Sequence, residues 1–184
     1  MDAAPRIETA RLLLRSSTQA DLDAHAAMLG DDGVMHHLTG AGIPREDAWR
    51  RLLQGPGLWV MLGYGYWSVE RREDGKYIGQ LGFADFKREL EPSIEGVPEM
   101  GWLFAAEAQG QGFALEGVTA ALAWADEVLR AAEIVAIIAP DNARSIRLAE
   151  RTGFFRAEET LYKRDPSVIF RRRYKRNESA AAAT

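Results

Sequence analysis

Between Pro98 and Gly117 the chain reads PEMGWLFAAEAQGQGFALEG, and few folds accommodate what that stretch implies. Met100, Trp102 and Phe104 alternate with Gly101 and Leu103, the pattern of a short pleated strand. After a turn through AAEAQGQG, Leu115, Val118, Leu122 and Ala125 recur at three- and four-residue spacing, the pattern of a helix. Strand, glycine loop and helix N-terminus together make an anion site. The first-turn N–H groups have no helical partner, and the helix dipole is positive there, so a phosphate is favoured. Gly110 and Gly112 let the backbone come close to that phosphate without Cβ interference.

Two common phosphate loops fail on the residue that carries their mechanism. A dinucleotide fingerprint needs a small third residue where Leu115 stands, and a P-loop needs a lysine where Val118 stands. Gln109-x-x-Gly112-x-Ala114 followed at once by a helix does fit a third type. It resembles the pyrophosphate loop of the GNAT superfamily of acyl-CoA-dependent N-acetyltransferases, whose signature is Q/R-x-x-G-x-G/A.

The 184 residues suit one domain with a substantial core, placed at 1–176, with the Ala-rich end 177–184 as a disordered tail. A formal net charge of −4 gives no global attraction to nucleic acid or anionic membrane. The absence of cysteine excludes a disulfide framework, a thiol nucleophile and a thiolate metal site. MDAAPRIETARLLLR lacks the apolar core of a signal peptide, and the longest uncharged run, Gly57 to Trp67, falls short of the ~20 residues that span a bilayer. A soluble cytoplasmic protein is the expectation.

Along the chain, Arg11 to Arg15 reads as a first strand. Thr18 and Asp21 open a helix through His25 and Leu29 that Gly30 closes. Asp31 to Gly42 reads as a turn or loop. Pro44 begins a second helix, which Gly55-Pro56-Gly57 breaks, with a brief resumption over Leu58 to Leu62. Tyr64 to Arg71 and Lys76 to Phe86 read as strands joined at Glu73-Asp74-Gly75. Lys87 to Val97 is acidic and reads as a mobile loop. Ile134 to Ala139 is a strand buried on both faces, a helix follows from Asn142 to Gly153, and Phe154 to Thr160 and Val168 to Tyr174 are closing strands. Strands first, then alternating strand and helix, then a hairpin make a mixed-sheet α/β domain.

The resemblance extends over nearly the whole chain. Asn142-x-x-Ser145 followed by Glu150-Arg151-Thr152-Gly153-Phe154, together with ETARLLLR, YIGQLGF and EMGWLF in order, is similar to the GNAT branch of Rim-type ribosomal-protein N-terminal acetyltransferases. That resemblance implies a mixed seven-stranded sheet with helices on both faces, splayed between its fourth and fifth strands, where acetyl-CoA is wedged. It implies that Trp102, Leu103 and Phe104 line the pantetheine path. Gln109, Gly110, Gln111, Gly112, Phe113 and Ala114 would cradle the pyrophosphate, and Asn142 would bond the pantetheine arm or acetyl region. Many members carry a tyrosine acid seven residues after the asparagine; here that residue is Ala149. Ser145 is therefore the candidate donor to the departing thiolate. Glu99 is the candidate base, against the reading of a solvated strand-end glutamate.

The amine must lose a proton to attack, so a base, a water chain or bulk water has to take it. Two readings of function stay open. One is acetyl transfer to a protein or peptide α-amine, or to a small amine such as an aminoglycoside, polyamine or amino acid. The other is a CoA-binding module without activity. No metal is expected: His25, His36 and His37 have no carboxylate at ligand spacing, and adjacent His36 and His37 point in different directions in regular structure. Trp49, Trp59, Tyr64, Tyr66 and Trp67 divide between core and acceptor groove. Arg171 to Arg173, with Lys175 and Arg176, reads as edge-strand charge, with no direct nucleic-acid binding. The acidic loop around Glu89, Glu91 and Glu95 could attract a cationic acceptor. Exposed closing strands are compatible with a homodimer.

Overall fold

A computed structural model describes residues 4–174. Among them an eight-stranded mixed sheet runs β1-β2-β3-β4-β5-β6-β8-β7, formed by β1 (Ile7–Glu8), β2 (Leu12–Arg15), β3 (Tyr66–Arg71), β4 (Lys76–Ala84), β5 (Glu99–Phe104), β6 (Glu133–Ile138), β7 (Phe155–Tyr162) and β8 (Asp165–Arg173). The helices are α1 (Leu22–Leu29), α2 (Asp32–Thr39), α3 (Arg45–Leu62), α4 (Phe113–Trp124) and α5 (Ala143–Arg151). The fold class is the expected one. The count of strands rises by one because Ile7 and Glu8 pair with Leu14 and Leu13, too short a run to read from sequence.

Every neighbouring pair is antiparallel except β5 and β6, which run parallel and share one register pair, Glu99 with Val135. Past that point the two strands separate. This is the expected splay, lying between the fifth and sixth strands once β1 is counted. The β6-facing edge of β5 therefore offers backbone groups with no strand partner, in a wall that needs them matched.

The sheet has two differently furnished faces. Leu81 and Trp102 are register partners on the face that α4 covers, where Gly117 of α4 sits so close that a Cβ would come within 2.7 Å of Leu81. Gln80 and Leu103 are partners on the opposite face, where Leu103 packs with Met28, Leu29, Val34, Met35 and Ala48 of α1, α2 and α3. An aromatic cluster of Trp59, Trp67 and Trp124, with ring centroids 4.7–5.3 Å apart, ties α3 to β3 and α4.

Several local expectations are overturned by tertiary packing. Asp31 to Gly42 is no loop: the Asp31 carboxylate accepts from Val34 N–H at 3.0 Å, α2 follows, Val34 and Met35 are buried, and Gly40 ends the helix at φ +81°. Gly55-Pro56-Gly57 does not break α3, which is continuous through Pro56. An interior proline costs about 3 kcal/mol. Buried Trp59, whose indole donates to Tyr66 O at 3.0 Å, offsets that cost from the following turn.

The acidic Lys87–Val97 segment has no helix or strand, yet it is anchored. Leu90 and Ile94 are buried against Val135 and Ile169, and Thr160 donates to the Glu91 carbonyl at 2.8 Å. The arginine run lies on β8, which is interior and not an edge strand. Arg171 pairs with Glu133 and Glu158 on its two neighbours, and Arg172 grips Asp126 with two hydrogen bonds. Lys175, Arg176 and the 177–184 tail lie outside the described residues.

Candidate active site

One cavity of about 1450 Å³ opens where β5 and β6 part, and it runs from the glycine loop to the helices α2 and α3. Every site residue expected from the sequence lines it except Gln111: Glu99, Trp102, Leu103, Phe104, Gln109, Gly110, Gly112, Phe113, Ala114, Asn142 and Ser145 are all in its wall. Gln111 turns away, its amide donating to the Glu107 carbonyl at 2.5 Å.

The loop fits a phosphate by direct geometric tests. Gly110 and Gly112 have φ of +75° and +80°, a conformation costly for any residue with a Cβ. Nothing lies within 4 Å of where a Gly110 Cβ would stand, so the backbone faces open space. Gly112 is the N-cap of α4 and no side chain caps that helix, which leaves its first-turn N–H groups free for an anion. Arg144, Arg147 and Arg151, spaced along one face of α5, line the same cavity and add positive charge.

The loop's shape is imposed from outside by groups that its own sequence does not reveal. Gln109 braces the loop: it donates to the Phe104 carbonyl at 3.1 Å and accepts from Arg144 at 2.7 Å. Arg11 donates to the Gln111 carbonyl at 2.9 Å and to Glu116 at 2.7 Å, and lies 4.6 Å over the Phe113 ring. Sequence reasoning missed Arg11, since it lies about a hundred positions away from its partners and no local periodicity marks it.

The two candidate catalytic residues stand on opposite faces of β5. On the α4 face the Trp102 indole donates to Ser145 Oγ at 3.2 Å, so the serine spends a lone pair and keeps its proton to give. The Asn142 side-chain oxygen caps α5 by accepting from Ser145 N–H at 3.1 Å, leaving its NH₂ donors available. Ala149, seven residues after Asn142, is fully buried in the core.

Glu99 occupies the other face and is not a solvated strand end. It is 6% exposed and accepts two hydrogen bonds from Arg88, at 2.6 and 2.9 Å. Arg88 is itself held between the Phe86 and Tyr162 rings, 4.8 and 4.4 Å from their centroids.

Of the five aromatics divided between core and groove, Tyr66 alone lines the cavity. Trp59 and Trp67 are core. Tyr66 lies across Gly82 and Gly101, which are register partners on adjacent strands; a Cβ on Gly101 would come within 2.1 Å of the Tyr66 hydroxyl. Desolvation pushes the Tyr66 phenol well above its usual pKa, with the Glu99 charge adding to it, so this hydroxyl acts as a neutral donor. The paired glycines were the available signal: two on adjacent strands clear a lane for a large side chain.

At the cavity mouth α2 brings His36 and His37 beside Asp141, with one ligand-type atom from each lying within 4.8 Å of the others. The two rings meet edge to face at 4.8 Å and do not diverge as expected, and His37 stands 3.3 Å from Asp141. Sequence spacing gave no sign of this because Asp141 comes from the β6–α5 turn.

A sheet parted between two parallel strands, with an uncapped glycine-led helix facing the gap, defines a coenzyme A acyltransferase fold. The family model for the acetyltransferase (GNAT) domain matches residues 11–155, and the chain belongs to that family. It is an acyl-CoA-dependent N-acetyltransferase with acetyl-CoA as its acetyl donor. It is 29% identical to the uncharacterised N-acetyltransferase YoaA of Bacillus subtilis over 82% of each chain. A protein from Bordetella pertussis described as a GnaT-family acetyltransferase superposes with a TM-score of 0.80 at 28% identity, covering 92% of this chain and 99% of that one. A spermidine N-acetyltransferase from Vibrio cholerae, solved with CoA and spermine, shares the fold at 18% identity and a TM-score of 0.70, over 90% and 97% of the two chains. Structures named for aminoglycoside and ribosomal-protein acetyltransferases share it as well, so the fold leaves the acceptor open. Among the described residues no helix is long and apolar enough to cross a membrane.

Proposed function

We propose that this acetyltransferase modifies the N-terminal α-amine of a protein or peptide, as the Rim-type resemblance implies. The observation that carries this reading is the clamp on Glu99. Its two hydrogen bonds from Arg88 occupy the single carboxylate placed on the acceptor face of β5. A site without a free strong base suits an amine that is already partly neutral near pH 7. An α-amine has a pKa of about 7.7–8.0, against about 10.4 for a lysine side chain.

Acetyl-CoA supplies an activated acyl thioester, and the chain's own groups do the rest. The first turn of α4 and Gly110 to Gly112 hold the diphosphate. Ser145, oriented by Trp102, donates its proton in a hydrogen bond to a sulfur anion. Tyr66 and Glu99 face the incoming amine, Tyr66 as a fixed donor and the Arg88-held Glu99 carboxylate as a fixed negative charge beside it, while water takes the amine's proton. Mass spectrometry on peptides carrying both a free α-amine and an internal lysine tests this reading. Acetylation confined to the N-terminus is expected. Exclusive modification of ε-amines, or turnover of small amines with peptides untouched, overturns it.

A further inference from the structure

The acceptor side of the cavity is poor in usable negative charge. Its lining holds two carboxylates: Glu99 is held by Arg88, and Asp141, on the β6–α5 turn, stands 3.3 Å from His37. The acids at the start of α3 are consumed as well, since Arg50 takes Glu46 and Asp47. The acidic loop before β5 is no substitute, because Glu89, Glu91 and Glu95 do not line the cavity and Glu95 pairs with Lys87.

Arg51 is the contrasting feature. It projects from α3 into the same wall, is partly buried, and has no ion-pair partner among the described residues. Gln54, one turn further along α3, lies beside it in the lining. A guanidinium without a counter-charge offers a fork of donors that matches a carboxylate. The other cavity arginines, Arg144, Arg147 and Arg151, stand on α5, with Arg144 tied to the phosphate loop through Gln109, so Arg51 is the arginine that α3 presents to the acceptor side.

We propose that Arg51 selects acceptors bearing a carboxylate close to the reacting amine, which for a peptide means an acidic residue within its first two positions. This rests on the α-amine reading above. A polyamine or aminoglycoside would instead set additional ammonium groups against Arg51.

Three peptides alike except for Asp, Ser or Lys at the second position test the idea by kcat/KM, with free aspartate and spermidine as small-molecule arms. The expected order is Asp, then Ser, then Lys, with about tenfold between the extremes, the size of one partly desolvated charge pair. Arg51→Glu should reverse the order and Arg51→Gln should flatten it, both with unchanged calorimetric affinity for acetyl-CoA. Acetylated peptides without this order, or an order that Arg51→Gln and Arg51→Glu leave intact, overturn the selection while the α-amine reading stands. If no peptide reacts, the α-amine reading fails. Aspartate turned over in preference to spermidine then keeps the role of Arg51, and the reverse preference removes it.

Discussion

The donor half of the cavity and its acceptor half are built on different principles. The donor half, from β5 through the loop to α4 and α5, presents backbone: first-turn N–H groups, two glycines at positive φ and an unpaired strand edge. The acceptor half presents side chains from α2, α3 and β3, namely His37, Arg51 and Tyr66. Backbone chemistry is the same in every sequence that adopts the conformation, so it is written in short motifs. Side-chain chemistry depends on which helices lie above the sheet, and here those were the elements hardest to read.

Replacing Gly112 should separate the halves most sharply. Gly112→Val puts a β-branched residue at φ +80° and fills the approach to α4, so acetyl-CoA affinity should fall at least about 100-fold by calorimetry. The melting temperature should drop by several degrees as well, because the strain is in the backbone. Gln111→Ala, one position away, should leave affinity unchanged. Equal binding by Gly112→Val and the parent would mean that the donor half does not depend on its backbone.

The acceptor-side layer should be the half that responds to pH. His25 is fully buried beneath it, sharing a 2.8 Å hydrogen bond with the Tyr77 hydroxyl, and burial pulls its pKa down to about 4 against a usual 6.5. The unfolded chain takes up a proton near pH 6.5 and the folded one does not until about pH 4. Stability from this group is therefore complete above pH 6.5 and declines as pH falls towards 4, by up to about 3 kcal/mol. Urea unfolding at pH 7 and pH 5 measures it, and His25→Gln should flatten the dependence. A parent protein equally stable at both values would count against a neutral buried His25.

Ser145→Ala should lower kcat by roughly 10- to 100-fold while leaving acetyl-CoA affinity nearly unchanged, since its hydrogen bond matters as negative charge develops. A matching loss in affinity would recast Ser145 as part of the binding surface. The smallest effect is expected for Arg11→Ala. Its guanidinium is half exposed and contacts the loop from outside, so acetyl-CoA binding should weaken roughly threefold. A hundredfold loss would mean that the loop holds no shape of its own.

The legibility of this chain follows the same division. The strand–loop–helix unit, the buried β6 and the Asn142–Ser145 helix start were readable because periodicity and caps specify them locally. Asp31 and Gly40 did mark α2, but its few apolar positions, Val34, Met35 and Leu38, were outweighed by polar and glycine residues. Pro56 misled because the aromatic contacts of Trp59 that hold α3 together are non-local. The arginine run looked like an edge because alternation shows a strand's faces and never its place in the sheet. Glu99 could be placed at the start of β5, while Arg88, which decides its chemistry, arrives from a loop with no regular pattern.

That place in the sheet bears on how the protein is made. β6 is one wall of the donor cleft, and it touches β5 through a single register pair but β8 through six. The strand that holds this wall upright is the last described strand in the chain. On a translating ribosome the glycine loop and α4 emerge early, yet no cleft exists for them to serve until β8 slots between β6 and β7. The growing chain thus has no assembled cleft until β8 has emerged, and its β6 edge is a point of vulnerability until then.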